Sequence, residues 1–256
     1  MAHTPDDETT VLVDKAVRDS AVALRTVLEA MERLDADALR APSTLPGWSR
    51  GHVLAHIEGV GNACARQAEA AARGEVVEFY DGGRAGRDAA IEADAGRVLE
   101  EHAAGLGRLA TRLEAAWPVP ASPVWREPTS YRDGDLTGVA VLWWREVRIH
   151  LVDLRVTVGP GSWDDDLCLH LLGFLEPRLG DADHVVLEAD DADVRWTVAT
   201  ADREPLVVRG ALRDIVAWLA GREPEAAPVA TRADVAEPLP ELGPWPSVSA
   251  EPTGRS

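Results

Sequence analysis

Apolar residues recur at helical spacing through the first 160 residues of the chain. The first such pattern covers residues 9–34, with one face formed by Val13, Val17, Leu24, Val27, Leu28 and Met31. Three more patterns follow, and stretches rich in proline and glycine separate them, at residues 49–73, 87–117 and 136–158. Gly159 and Pro160 after the fourth are a typical stop signal. Four amphipathic helices joined by loops predict a four-helix bundle over residues 1–160.

The pattern changes after Gly161. Residues 164–175 are typical of a short helix, and a second short helix is predicted between Gly210 and Gly221. Strand patterns lie between the two helices, at residues 184–188, 194–200 and 206–208. We therefore predict a small α+β domain over residues 161–225 and an α+β fold class for the whole chain. Proline and alanine dominate residues 226–256, which we predict to be an extended or partly disordered tail.

Composition and charge exclude several classes of function. The formal net charge of −18 argues against a general nucleic-acid or acidic-membrane surface, because phosphate binding needs a positive footprint. No stretch approaches the roughly 20 apolar residues of a membrane span, and the N-terminus lacks the pattern of a signal peptide. Two cysteines do not make a disulfide framework at this length. We expect a cytoplasmic protein with small-molecule partners, and an anionic substrate would need a local cluster of arginines.

The fourth predicted helix carries two titratable residues on its apolar face. At about 100° per residue, Glu146 and His150 share that face with apolar residues, and their four-residue spacing makes them neighbours. Burying a charge costs on the order of several kcal/mol unless it is compensated, so we expect a partner inside the bundle. His56 lies on the apolar face of the second predicted helix and is the candidate partner.

Together, His56, Glu146 and His150 offer three converging nitrogen and oxygen donors. This ligand set suits Zn²⁺ and, less exclusively, Fe, Ni or Mn. Three protein ligands leave a position for water or substrate, as in catalytic rather than structural zinc sites. Asp153 follows His150 by three residues and is a candidate for orienting its imidazole. The sequence therefore predicts a divalent metal centre, with Zn²⁺ as the first candidate.

Each of these residues also has a simpler interpretation. A histidine on an apolar face is commonly a hydrogen-bonded core residue, and Glu146 and His150 could bond to each other. His52 is a rival ligand because it precedes His56 by four residues, although it lies at the edge of the apolar face. Cys64 lies two turns beyond His56, about 12 Å along the axis, and is predicted to be a packing residue. The same structural interpretation applies to Cys168, His170 and His184.

Two segments resemble the signature helices of the mycothiol-dependent maleylpyruvate isomerases, a family similar to the DinB-like metal-binding bundles. They are residues 45–57, LPGWSRGHVLAHI, and residues 145–154, REVRIHLVDL. In that family the last histidine of the first segment and the glutamate and histidine of the second bind zinc. The resemblance therefore implies His56, Glu146 and His150 as the metal ligands.

A third segment resembles the closing helix of the same family. It covers residues 210–222, GALRDIVAWLAGR, and the family's C-terminal domain is similar to a small sterol-carrier-like module. The resemblance implies a catalytic role for Arg222, which would pair with a substrate carboxylate through its planar guanidinium. The alternative is that Arg222 is a cation favoured by the dipole at the end of a helix.

The resemblance also implies a reaction. A thiolate adds to the cis double bond of maleylpyruvate, the resulting single bond rotates, and the thiolate leaves to give fumarylpyruvate. The chain has no well-placed cysteine for this, so mycothiol, a low-molecular-weight thiol, is the implied cofactor. A bound metal would deprotonate the thiol or polarise a substrate carbonyl. Two alternatives stay open: a mycothiol S-transferase acting on another electrophile, and a non-catalytic metal-binding or regulatory module.

Overall fold

A computed structural model describes residues 5–180, 184–198 and 204–246. The chain divides into two units, Met1–Thr157 and Val158–Ser256. Helices build the first unit, and the second combines helices with a mixed sheet, so the predicted α+β fold class is confirmed. Within the described ranges, every helix is too short or too polar to cross a membrane.

The described residues of the first unit form six α-helices. They are α1 (Pro5–Met31), α2 (Ala36–Arg40), α3 (Arg50–Ala71), α4 (Gly83–Asp94), α5 (Leu99–Ala116) and α6 (Leu136–Asp153). Helix α1 packs against α5 and α6, and α3 packs against the same two helices. The four long helices therefore enclose one core, whose largest fully buried side chains include Leu54, Ile57, Leu106, Leu109, Trp143, Trp144 and Ile149.

Helices α3 and α6 begin in the same way. An isolated antiparallel bridge precedes each helix, between Pro42 and Ser49 and between Pro128 and Asp135. Ser49 and Asp135 then cap the helices, because their side chains accept hydrogen bonds from free backbone N–H groups of the first turn. These two caps fix the first residues of α3 and α6. They therefore also fix how far along each helix axis its titratable residues lie.

The structure divides the predicted third helix into α4 and α5. The chain turns over residues 95–98, where the carbonyl of Ala95 lies so close to Gly51 of α3 that a side chain at residue 51 would overlap it. Helix α5 then starts afresh, with the Glu101 carboxylate accepting from the backbone N–H of Val98 at 3.3 Å. This break depends on a contact with α3, which the local pattern of residues 87–117 does not contain.

Helix α6 ends at Asp153, before the predicted end at residue 158. Arg155 adopts a left-handed backbone conformation with φ of 52°, which terminates an α-helix. The guanidinium of Arg50 donates to the carbonyl oxygens of Leu154 and Arg155 and so satisfies groups that the helix leaves unpaired. Arg50 belongs to α3, so a tertiary contact ends α6. The short helix α2 was not predicted.

The second unit contains a five-stranded mixed sheet in its described residues. Its elements are α7 (Asp165–Leu175), β1 (Val185–Ala189), β2 (Arg195–Val198), β3 (Leu206–Gly210), α8 (Leu212–Leu219), β4 (Val229–Arg232) and β5 (Val235–Glu237). The strand order is β2-β1-β3-β4-β5, with β1 and β3 parallel and the other neighbours antiparallel. Helix α8 packs on α7 and on strands β1 and β3. The first three strands lie where they were predicted, although residues 199–200 lie outside the described residues.

Strands β4 and β5 lie in the segment predicted to be an extended or partly disordered tail. Their hairpin turns at Ala233 and Asp234, both with positive φ, as in the two-residue turns that suit twisted strands. Strand β5 is exposed along its whole length, so its sequence has no buried alternation to recognise. Residues 247–256 of the predicted tail lie outside the described residues.

Candidate metal centre

Three titratable side chains converge between α3 and α6. The Nε2 atom of His56 lies 3.2 Å from Glu146 Oε2 and 3.0 Å from His150 Nε2, and 3.3 Å separates the latter two atoms. Zinc ligands lie about 2.0–2.2 Å from a tetrahedral ion, which places neighbouring donors about 3.3 Å apart. The triangle formed by these three atoms therefore has the size that one tetrahedral cation requires. The convergence expected from the helix faces is present in the structure.

Burial and mutual contacts decide the charges of this trio. Burial, followed by the neighbouring His150, lowers the pKa of His56 to about 4. Burial works against ionised Glu146, but hydrogen bonds from His150 and His56 outweigh it and hold the pKa of Glu146 well below its usual range. An ionised carboxylate and an unprotonated His56 are the forms that bind a metal cation.

Asp153 contacts the far nitrogen of His150. Its Oδ2 atom lies 2.8 Å from His150 Nδ1, its other oxygen accepts from the hydroxyl of Thr44, and the carboxylate is fully buried. Burial lowers the pKa of His150, but the hydrogen bonds to Asp153 and Glu146 more than compensate and raise it. With Nδ1 donating to Asp153, Nε2 is the nitrogen that faces Glu146 and His56.

The rival ligand His52 serves the start of α3 instead. Its Nδ1 accepts from the backbone N–H of Ser49 at 3.2 Å and lies 2.7 Å from the Ser49 hydroxyl. Its Nε2 lies 3.6 Å from the exposed carboxylate of Glu92. In the part of the chain that the structure describes, the converging group contains His56 and does not contain His52.

A cavity of about 500 Å³ opens beside His56. Its charged lining includes the arginines Arg66, Arg87 and Arg112 and the aspartates Asp81 and Asp94. Arg87 reaches His56 directly, with its Nη2 atom 3.2 Å from His56 Nδ1. Sequence reasoning named no residue of this arginine cluster. The three arginines come from α3, α4 and α5 and are far apart in the sequence, so no local spacing could reveal it.

The sequence of the first, helical unit matches a known protein family. The sequence profile described as the mycothiol maleylpyruvate isomerase N-terminal domain matches residues 17–155, more than half of the chain. The chain belongs to this family. The matched region contains all of α3 and α6, and with them the three converging side chains.

Solved structures of the isomerase family agree with the fold of this chain. A crystal structure of the mycothiol-dependent maleylpyruvate isomerase matches with a TM-score of 0.79 over 91% of this chain and 97% of that chain, at 21% identity. A crystal structure of a histidine-to-alanine mutant of that isomerase matches with the same TM-score and coverage at 20% identity. At these identities the match shows a shared fold. A search of curated proteins gives no match.

Arg222, which the family resemblance singled out, lies in the second unit and is buried. One of its guanidinium nitrogens donates to the carbonyl of Ala220 just after α8, and the guanidinium lies over the Trp245 ring at 5.2 Å. The contact with Ala220 is the one expected of a cation at the end of a helix. A role of Arg222 in activity therefore stays a prediction from the isomerase family.

Both cysteines are buried. Burial raises the pKa of the Cys64 thiol well above its usual range, so this residue is protonated at neutral pH. A nucleophilic cysteine needs an accessible thiolate. The packing role predicted for Cys64 agrees with its burial on α3. Within the described residues, the protein has no accessible thiol of its own.

Proposed function

We propose that this protein is a metal- and mycothiol-dependent isomerase that converts maleylpyruvate to fumarylpyruvate. The observation that carries the proposal is the triangle of His56, Glu146 and His150 donors in a domain of the mycothiol maleylpyruvate isomerase family. The matched crystal structures are of a mycothiol-dependent maleylpyruvate isomerase, which supports the same reaction here.

His56, Glu146 and His150 would hold one divalent cation, with Zn²⁺ as the first candidate. The donor set of two imidazoles and one carboxylate is common in catalytic zinc sites and leaves a coordination position free for a ligand. The anionic form of Glu146 and the small triangle of donor atoms both fit a bound cation. When bound, the metal supplies an acidified thiol or water and a polarised carbonyl.

The surrounding residues hold the three side chains in place. The buried carboxylate of Asp153 orients His150, and Trp48 packs edge-on against His56 with ring centroids 5.6 Å apart. The side chains of His56, Glu146 and His150 are 4%, 14% and 11% exposed, so little bulk water reaches the donors. Since His56 also lines the cavity, a substrate in the cavity approaches the trio along this residue.

The cofactor's thiol is the nucleophile in this proposal. Mycothiol, when bound, supplies the thiolate that adds to the cis double bond and departs after rotation about the resulting single bond. The buried cysteines leave this role to an external thiol. Maleylpyruvate carries two carboxylates, and we propose that Arg222 pairs with one of them, as the family resemblance implies.

Two measurements test the proposal. We expect the zinc-reconstituted protein to carry about one metal ion per chain, His56→Ala to lose it, and the matched control His52→Ala to keep it. We also expect fumarylpyruvate formation to require added mycothiol and to disappear in His56→Ala. Equal metal content in His56→Ala and His52→Ala would show that His56 is not a metal ligand.

The same assays separate the alternatives. Mycothiol conjugation to another electrophile, with maleylpyruvate left unchanged, would identify an S-transferase. Bound metal without thiol-dependent turnover of either kind would identify a metal-binding module.

A further inference from the structure

Arg87 joins the cavity to the candidate metal centre. It lies on α4, lines the cavity, and places its Nη2 atom 3.2 Å from Nδ1 of His56. The other nitrogen of the same imidazole, Nε2, faces Glu146 and His150. The guanidinium and the donor triangle therefore contact the two different nitrogens of one imidazole.

The other two arginines of the cavity wall are committed to holding the fold. Arg112 makes a two-pronged ion pair with Glu69, with both distances 2.8 Å, and also donates to the Asn62 side chain. Arg66 donates to the carbonyl oxygens of Glu78 and Phe79 and pairs with Asp81, whose side chain is 93% exposed. Its Nε atom is buried without a hydrogen-bond partner among the described residues. What distinguishes Arg87 from both is therefore its contact with His56.

The acidic partner of Arg87 is exposed, and the guanidinium also makes a hydrogen bond with Tyr80. Its Nη1 atom donates at 2.6 Å to Asp88, the next residue in the chain, whose side chain is 51% exposed. Exposed ion pairs contribute little free energy and exchange readily with solvent and other anions. A carboxylate entering the cavity can therefore replace Asp88 on this guanidinium at small cost.

The contact of Arg87 with His56 lacks an acceptor once a metal is bound. In the proposed function Nε2 of His56 binds the cation, so the neutral imidazole keeps its proton on Nδ1, and the guanidinium of Arg87 faces another donor there. A carboxylate beside this contact accepts from the guanidinium. The planar guanidinium offers paired N–H donors that match a carboxylate.

We propose that Arg87 binds a carboxylate of the substrate and selects electrophiles that carry one. The inference rests on the proposed function in one respect, which is that the metal binds another part of the same substrate. It makes Arg87 a specificity-determining residue, because a neutral electrophile gains nothing from the guanidinium. It also assigns the cavity beside His56 to the substrate.

Calorimetric titration with maleate, a cis dicarboxylate, tests this role without turnover. Wild type, Arg87→Gln, Arg87→Lys and Arg18→Gln are compared in zinc-loaded and chelator-treated forms. We expect Arg87→Gln to bind maleate about ten- to a hundredfold more weakly, the effect of losing a hydrogen bond to a charged group. We expect Arg87→Lys to recover part of the affinity. Arg18 lies on α1, is 68% exposed and is the control, with unchanged binding.

The outcomes separate this inference from the proposed function. Equal maleate affinity in wild type and Arg87→Gln, or no maleate binding by wild type in either form, overturns the role of Arg87. Failure of the wild type to take up zinc overturns the metal site alone, while weaker maleate binding by chelator-treated Arg87→Gln still supports the carboxylate site. Maleamide, the neutral analogue, should bind wild type and Arg87→Gln alike, which excludes a general collapse of the cavity.

Discussion

Asp153 lies 2.8 Å from Nδ1 of His150, and this contact orients the opposite nitrogen towards Glu146 and His56. The two residues are three apart on α6, so one turn of helix carries both the candidate ligand and the group that holds it. Asp153 is itself held by Thr44, which donates to it through both its hydroxyl and its backbone N–H. The orientation of His150 thus depends on a chain of contacts that reaches into the loop before α3.

Replacing Asp153 tests this chain of contacts. In Asp153→Asn the imidazole loses its anionic partner, so we expect zinc affinity to fall about ten- to a hundredfold, as for other groups that orient metal ligands. Competition with a chromophoric chelator measures the dissociation constant. Asp37→Asn removes a carboxylate on α2 that is 91% exposed and pairs with Arg40, and it is the control, with unchanged zinc affinity. Zinc affinity in Asp153→Asn equal to wild type would show that Asp153 has no part in the site.

The pKa shifts predict how metal binding depends on pH. Hydrogen bonds that His150 donates to Asp153 and Glu146 raise its pKa against the effect of burial, whereas burial lowers the pKa of His56 to about 4. A metal must displace the proton of His150 at every pH below its raised pKa, so affinity falls as pH falls. His56 begins to compete for protons only near pH 4.

Zinc titrations from pH 8 to pH 5 measure this dependence. We expect the logarithm of the affinity to fall with a limiting slope near one per pH unit, since one histidine is protonated in this range. Asp153→Asn should move the start of the decline to lower pH because it removes the group that raises the pKa of His150. A slope near two at pH 6 would mean that both histidines titrate together, contrary to the structure.

The turn between α4 and α5 predicts a stability difference between two glycines of α3. A methyl group at Gly51 would overlap the Ala95 carbonyl, whereas the same group at Gly59 has no atom within 4 Å. We expect Gly51→Ala to destabilise the first unit by about 1–3 kcal/mol, as overpacking does. Gly59→Ala should be neutral or stabilising by up to about 1 kcal/mol, because alanine favours a helix. Urea unfolding of both variants provides the comparison, and equal stabilities would contradict the close approach of Ala95.

Strand β4 predicts that the region after residue 226 contributes to the stability of the second unit. Ala230 is buried in β4, whereas Ala236 in β5 is exposed. We expect Ala230→Asp to cost roughly 2–4 kcal/mol, because it buries a charge without a partner. Ala236→Asp should change the stability by less than about 0.5 kcal/mol. Unfolding followed by near-ultraviolet circular dichroism measures both stabilities. An Ala230→Asp variant as stable as wild type would instead support an unstructured tail after residue 226.

Several elements could be predicted because their signals are local. The apolar faces of α3 and α6 and the apolar runs of β1 and β3 all lie within one turn or one strand of the residues concerned. The same periodicity brought His56, Glu146 and His150 together as candidates. The division of α4 from α5 and the early end of α6 escaped prediction, because Gly51 and Arg50 on another helix cause them.

The sequence by itself determined which residues share a helix face and which family the chain resembles. Only the tertiary structure decided that three donor atoms lie 3.0–3.3 Å apart, that Arg87 reaches His56 from α4, and that β4 and β5 complete the sheet. The reason is physical. Any short helical stretch of chain shows the period of about 3.6 residues in its apolar positions, and this period identifies which residues share a helix face. The rotation, height and pairing of separate elements depend on packing between side chains far apart in sequence, and no single stretch contains that information.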